Sequence, residues 1–308
     1  MSFALATLKT GRTFVPAIRV GAAFWPIPAT ARVAKIEVVP GGVFDYLQNW
    51  RKAFAQLKRL AAAIERGVVP GRYAVGTARA RLDTPIRYPR KVFCTGANYQ
   101  DHLEEMGASS IKKVRGVPPF FFLKPGSTAV VGPGPTVHIP RGSTNFDWEV
   151  EVAVVFAKRG RDIVEKDALD YIAGYSLAID FTARDMLFAP DTYFKFNFTL
   201  GKCQDAMTPV GPVFVPKEFA DGADLPFSLS VNGVEKQNSS TKHMIYSLRE
   251  QIAGASRAVT IEPGDIMLTG SPAGVGYPRG EKLAVGDSVI VDSPVTGSMQ
   301  VTIQKSFK

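Results

Sequence analysis

An α+β fold in which strands predominate is predicted by three observations. From Lys91 onward, short runs rich in Val and Ile are separated by Gly and Pro turns. Helical periodicity is confined to a few stretches, and strands do not alternate with helices as a doubly wound sheet requires. The 308 residues are 45% hydrophobic and 21% charged, an ordinary globular composition, and the length sets a prior of about two units. We place the boundary near residue 88, with a small N-terminal α/β part over 1–88 and a larger part over 89–308 read as a β-rich barrel or sandwich.

In chain order, Phe14 to Phe24 reads as strand and turn, and Pro16, Pro26 and Pro28 argue against an amphipathic helix there. The first 36 residues carry Lys9, Arg12, Arg19, Arg32 and Lys35 and no acid, as a transit peptide would. The strand reading outweighs that resemblance, and a cytoplasmic location is expected. One helix comes next, because Phe44, Leu47, Trp50, Phe54, Leu57, Leu60, Ala61 and Ile64 recur at three- and four-residue steps before Gly67 and Pro70. Val68 to Arg90 reads as a connector. Later helices are expected over about Glu165 to Ala173, ended by Gly174, and about Thr241 to Ser256.

Several function classes are excluded. No apolar run approaches the roughly 18 residues of a membrane helix. The net charge of +9 is scattered, without the basic blocks interleaved with aromatics of a nucleic-acid face, so a small anionic ligand explains it better. Cys94 and Cys203 make neither a disulfide framework nor a zinc site, and His138 and His243 lack acidic neighbours. The glycines from Gly270 to Gly276 lack the Lys-Ser/Thr of a phosphate loop.

The segment that carries chemistry is Asp147-Trp148-Glu149-Val150-Glu151-Val152-Ala153-Val154-Val155. Alternation along a strand puts Glu149 and Glu151 on one face, roughly 6–7 Å apart, where they repel unless solvated or bridged by a cation. The next strand-like piece ends in Asp180. Three carboxylates on neighbouring strand ends make a hard, all-oxygen site suited to Mg²⁺, Mn²⁺ or Ca²⁺ rather than zinc. His102 and Glu105 lie three apart and meet on one helical turn, so the carboxylate can fix the imidazole as a base.

These pieces together resemble the fumarylacetoacetate hydrolase superfamily, from about Lys91 to the C-terminus. They are Gly96-Ala97-Asn98-Tyr99 with Asp101-His102 and Glu105, Phe122-Leu123-Lys124-Pro125-Gly126, Asp147 to Glu151, Ile172-Ala173-Gly174-Tyr175, and Asp180 with Ala183-Arg184-Asp185. Gly201-Lys202, Val231-Asn232-Gly233, Pro263-Gly264-Asp265 and Thr269 to Gly276 complete the set. The resemblance implies a mixed β-roll catalytic domain after a smaller N-terminal one, a homodimer, and Mg²⁺ or Mn²⁺ on Glu149, Glu151 and Asp180, with Ca²⁺ a further candidate. His102, Glu105 and Lys202 fall on the catalytic positions. Arg184, Tyr99, Lys124, Thr269 and Ser271 are taken to bind substrate.

The resemblance further implies a metal-dependent hydrolase that cleaves a C–C bond of a 1,3-dicarbonyl or 2-oxo acid, such as an acylpyruvate, in catabolism. The alternatives are an isomerase or decarboxylase of a 2-hydroxy-diene-dioate or oxaloacetate-like substrate on the same metal site, and a non-catalytic metal- or ligand-binding member. The chain departs from the family pattern after Asp185. Where relatives have a Gln and a Gly-Gln-Trp-like approach to the lysine, it has Met186-Leu187-Phe188 and an aromatic stretch from Tyr193 to Leu200. Those rings point to a bulkier, more apolar substituent on the substrate, or to packing under a lid or at a dimer interface.

Overall fold

The computed structural model describes residues 2–306 except 111, 115 and 192. The chain opens as a meander in which β1 (Ala4–Thr10), β2 (Thr13–Val20) and β3 (Ala23–Pro26) pair antiparallel. A helix, α1 (Ile27–Ala34), comes directly after them, where the prolines argue against one. Pro26 and Pro28 occupy its N-cap and first turn, where an N–H has no partner to lose. The helix expected after it is two, α2 (Val43–Gln48) and α3 (Trp50–Glu65), parted at Asn49, whose φ of −140° is not helical. Asparagine competes for backbone hydrogen bonds and favours such breaks. The predicted stripe is buried all the same: Leu57, Leu60, Ala61 and Ile64 pack with Leu5 and Ile18 and with Ala153 and Val155 far along the chain.

Apart from two-residue strands, the remaining strands among the described residues are β4 (Lys91–Thr95), β5 (Phe121–Pro125), β6 (Gly134–His138), β7 (Val150–Phe156), β8 (Ile172–Ile179), β9 (Thr208–Pro216), β10 (Pro226–Val231), β11 (Val234–Ser240), β12 (Ile266–Leu268), β13 (Ser288–Asp292) and β14 (Met299–Gln304). Between them lie α4 (Gln100–Glu105), α5 (Arg184–Leu187), α6 (Phe198–Lys202) and α7 (Leu248–Ala258).

The main sheet runs β3-β2-β1-β9-β8-β7-β12-β4-β5. It crosses residue 88 without a break, because β1 pairs with β9, Leu5 lying opposite Phe214. Among the described residues its path has two ends, Val75–Gly76 and β5, so it is not a closed barrel. A second sheet, β11-β10-β13-β14-β6, covers one face. Between the sheets Val150, Val152 and Val154 meet Leu229, Val231, Val289 and Val291, while Ala153 and Val155 face the N-terminal helices. The fold is therefore the expected strand-rich α+β sandwich. Strand β7, buried on both faces, is its centre.

Two helix expectations are corrected. Residues Glu165–Tyr171 form a 3-10 helix and Gly174 already lies inside β8, so it does not stop a helix. A Cβ there would stand 2.0 Å from the Val215 carbonyl oxygen, so the glycine serves close strand approach. Further on, Thr241–His243 is one 3-10 turn and α7 begins only at Leu248. Ser247 and Glu250 form a capping box there, a sequence signal stronger than the periodicity that suggests an earlier start.

Candidate metal centre

Glu149 and Asp180 face each other where β7 meets β8. The ladder ends with Val150 opposite Ile179, and the Asp180 N–H donates to the Glu149 carbonyl at 2.8 Å. Glu151 is two residues further along the chain on the same face, as strand alternation requires. Each of Glu149, Glu151 and Asp180 offers an oxygen within 4.8 Å of the others, and all three are buried.

Three cations surround them. Lys202, at the end of α6, donates from Nζ to Glu149 Oε2 at 2.6 Å and to Asp180 Oδ2 at 2.7 Å. Lys124 on β5 donates to the other Asp180 oxygen. Arg184 at the start of α5 donates from Nη2 to Glu149 Oε1 at 2.6 Å and from Nε to Asp147 Oδ2 at 2.8 Å. Asp147 also accepts from the N–H groups of Trp148, Gly276 and Tyr277, so it serves as the anchor of the arginine. Sequence reasoning misses this role of Asp147, although the residue extends the alternation of Glu149 and Glu151 by one more step.

The carboxylates differ in their protonation. Burial alone would raise Glu149, but Lys202, Arg184 and His102 outweigh it and bring its pKa down to about 2. Glu151 is held well above the usual carboxylate range, by burial first and then by repulsion from Asp180 and Glu149. The Gly270 N–H, its hydrogen-bond partner, only partly offsets this. Burial works against the Lys202 charge, yet Asp180 and Glu149 raise its pKa and keep it an ammonium. With Glu151 ionised, four buried carboxylates meet three cations, and the shortfall of positive charge sits beside Glu151. An all-oxygen donor set with one negative charge in excess fits a hard divalent cation.

The predicted dyad is present. His102 Nδ1 lies 2.8 Å from Glu105 Oε1 on α4, and Glu105 Oε2 accepts from the Gly274 N–H at 2.9 Å. With Nδ1 bearing the proton toward the carboxylate, Nε2 is left as an acceptor. The loop from Gly270 to Gly276 is shaped for these contacts. Gly270 has φ +98°, and a Cβ on it would stand 2.6 Å from that of Asn98. Asn98 in turn donates to the Thr269 carbonyl at 2.8 Å and holds the Tyr246 backbone.

The residues expected to touch substrate are placed differently from one another. Arg184 and Lys124 are buried against carboxylates. The Thr269 hydroxyl donates to the Val152 carbonyl at 3.0 Å, and Ser271 accepts from Gln237 at 2.8 Å. Tyr99 is buried, with a hydroxyl that makes no hydrogen bond among the described residues and a pKa raised by burial and by Glu151.

The sheet sandwich thus buries a carboxylate triad among cations, beside an imidazole–carboxylate pair, and the triad could hold a divalent cation. Residues 91–304 match the family model described as the fumarylacetoacetate (FAA) hydrolase C-terminal domain, and the chain belongs to that family. The mitochondrial oxaloacetate tautomerase of Xenopus laevis is 38% identical over 224 residues, 68% of this chain and 67% of that protein. Among solved structures, a fumarylacetoacetate hydrolase from Exiguobacterium antarcticum has a TM-score of 0.77 and 26% identity, covering 99% of this chain and all of that one. A 2-hydroxyhepta-2,4-diene-1,7-dioate isomerase from Mycobacterium marinum has a TM-score of 0.71 and 26% identity, with complete coverage of both chains.

Proposed function

We propose that this enzyme moves a proton at the carbon next to the carbonyl of a 2-oxo acid, interconverting keto and enol forms or shifting the double bond of a 2-hydroxy-diene acid. The observation that carries this reading is the 38% identity to an oxaloacetate tautomerase over 224 residues. It favours the isomerase alternative over the hydrolase reading that the motifs first suggest. The second reading, hydrolysis of a 1,3-dicarbonyl, retains the support of the dyad and of the hydrolase whose structure covers nearly the full chain.

Glu149, Glu151 and Asp180 would hold Mg²⁺ or Mn²⁺, with Ca²⁺ a weaker candidate. When bound, the ion supplies Lewis-acid polarisation of the substrate carbonyl. Lys202 and Arg184, fixed by their carboxylates, offset the charge of an anionic substrate and of the enolate that forms. His102 takes the proton from carbon through Nε2 and returns it to oxygen, or the reverse, while Glu105 steadies the imidazolium. No atom is gained or lost in the cycle. A homodimer and a cytoplasmic location belong to the same reading; among the described residues no helix is long and apolar enough to cross a membrane.

The test monitors the ultraviolet band of enol oxaloacetate as it ketonises with Mg²⁺ or Mn²⁺, beside assays for acylpyruvate cleavage and CO₂ release. Metal-dependent acceleration that Glu149→Gln abolishes supports the reading. Cleavage of acylpyruvates without any acceleration of ketonisation would replace it with the hydrolase.

A further inference from the structure

Glu149 divides its two oxygens between Lys202 and Arg184, and each of those cations lies over an aromatic ring. Lys202 Nζ is 5.9 Å from the centre of Phe122, and the Arg184 guanidinium carbon is 5.8 Å from that of Tyr277. A continuous path of rings joins the two. Phe122 meets Phe198 at 5.2 Å, Phe198 meets Phe196 at 6.3 Å, Phe196 meets Phe188 at 5.7 Å and Phe188 meets Tyr277 at 5.1 Å. Phe120 extends the arc outward, 5.3 Å from Phe198.

These rings come from three separate segments, so no single amphipathic helix accounts for them. They are also incompletely covered: Phe120 is 55% exposed, Phe196 51% and Tyr277 40%. A contiguous open apolar surface marks a binding site more often than it serves the fold. Its two ends, Phe122 and Tyr277, lie over the cations that face the triad. A ligand whose carboxylate reaches those cations therefore lays its other end along the rings. A small dicarboxylate leaves that surface wet.

We propose that the substrate carries an aryl or extended apolar group at the end remote from its 2-oxo carboxylate, and that Phe122, Phe198, Phe196, Phe188 and Tyr277 form the subsite that takes it. This rests on the enolising reading for the identity of the reacting end. The rings supply face and edge contacts to a planar group, and the two cations orient the carboxylate away from them.

Two inert chelators separate the question of binding from that of turnover. Oxamate and N-phenyloxamate share a planar oxo-carboxylate end, have no carbon that can enolise, and differ by one phenyl ring. Calorimetric titration of the Mn²⁺-loaded protein is expected to show N-phenyloxamate binding about tenfold tighter. Phe198→Leu and Phe196→Ala should each shrink that ratio about threefold. Equal affinities, or a ratio unchanged in both variants, would overturn the subsite. Turnover is read alongside with enol oxaloacetate and enol phenylpyruvate. A phenyl preference that depends on the rings, with neither enol turned over, upholds the subsite and removes the enolising reading; ketonised oxaloacetate with no phenyl preference does the opposite.

Discussion

Glu105 binds His102 Nδ1 with one carboxylate oxygen at 2.8 Å and the backbone N–H of Gly274 with the other at 2.9 Å. The same side chain thus orients the imidazole and pins the glycine loop whose Gly270 N–H reaches Glu151. The proposed base and a proposed metal ligand are thus joined through one short loop.

Replacing the base is the first consequence to measure. His102→Asn should lower kcat for enol ketonisation by roughly 10²–10⁴-fold, the usual worth of a positioned general base. Glu105→Gln keeps the shape but accepts more weakly, and a fall of about tenfold is expected. Full activity in His102→Asn would assign proton transfer to another group.

Glu151→Gln separates metal binding from folding. Without metal, the substitution removes a carboxylate whose ionised form is disfavoured by burial and by Asp180 and Glu149, so thermal stability should hold or rise. With Mn²⁺ at about 100 times the wild-type Kd, the native protein should gain roughly 2.7 kcal/mol and the variant far less. Calorimetric melting with and without the ion checks both halves. A variant stabilised as strongly as the wild type would show that Glu151 is not a ligand.

Lys202→Met leaves Glu149 and Asp180 buried without their shared cation. Loss of one partner from such a group costs about 3–5 kcal/mol in stability, and kcat/KM should fall by roughly 10²–10³-fold as charge stabilisation is lost. Affinity for Mn²⁺ should not fall, since a competing cation has gone from two ligand oxygens. A variant that loses metal affinity in parallel with activity contradicts this division of roles.

Glu250 gives a prediction in pH. Burial works against its charge, but Lys113 and the Ser247 N–H and hydroxyl outweigh it and hold the carboxyl below its usual range. A depressed pKa adds stability above the unfolded value of about 4.3, and that stability disappears as the pH falls through the folded value. Glu250→Ala should therefore cost roughly 0.5 kcal/mol at neutral pH, and the two melting curves should converge in acid. Equal stabilities at neutral pH would show that the capping box at α7 contributes nothing.

The Glu149–Glu151 pair and the dyad are legible in the sequence because each rests on local geometry, whereas Asp180 joins them only through the pairing of β7 with β8. Strand alternation places Glu149 and Glu151, and the three-residue step places His102 beside Glu105 on α4. The Arg184–Asp147 and Lys124–Asp180 pairs are not legible, since they depend on which strands meet across 37 and 56 residues of chain. The helix boundaries go astray for local reasons of the opposite kind. Apolar periodicity runs through Asn49, where the backbone leaves the helical region, and across Ser247, where side-chain capping decides the boundary. Gly174 misleads because a glycine needed for close strand contact looks, in sequence, like one that ends a helix.

The pairing of β1 with β9 bears on how this chain can be cut. A fragment beginning at Lys91 would carry every carboxylate of the triad, yet it would strip a neighbour from β9 and bare a row of unpaired N–H and C=O groups beside Val213 and Val215. Such an edge recruits strands from other molecules. In the intact chain β1 covers that edge, and a fragment beginning at Lys91 is expected to self-associate more readily than the full chain.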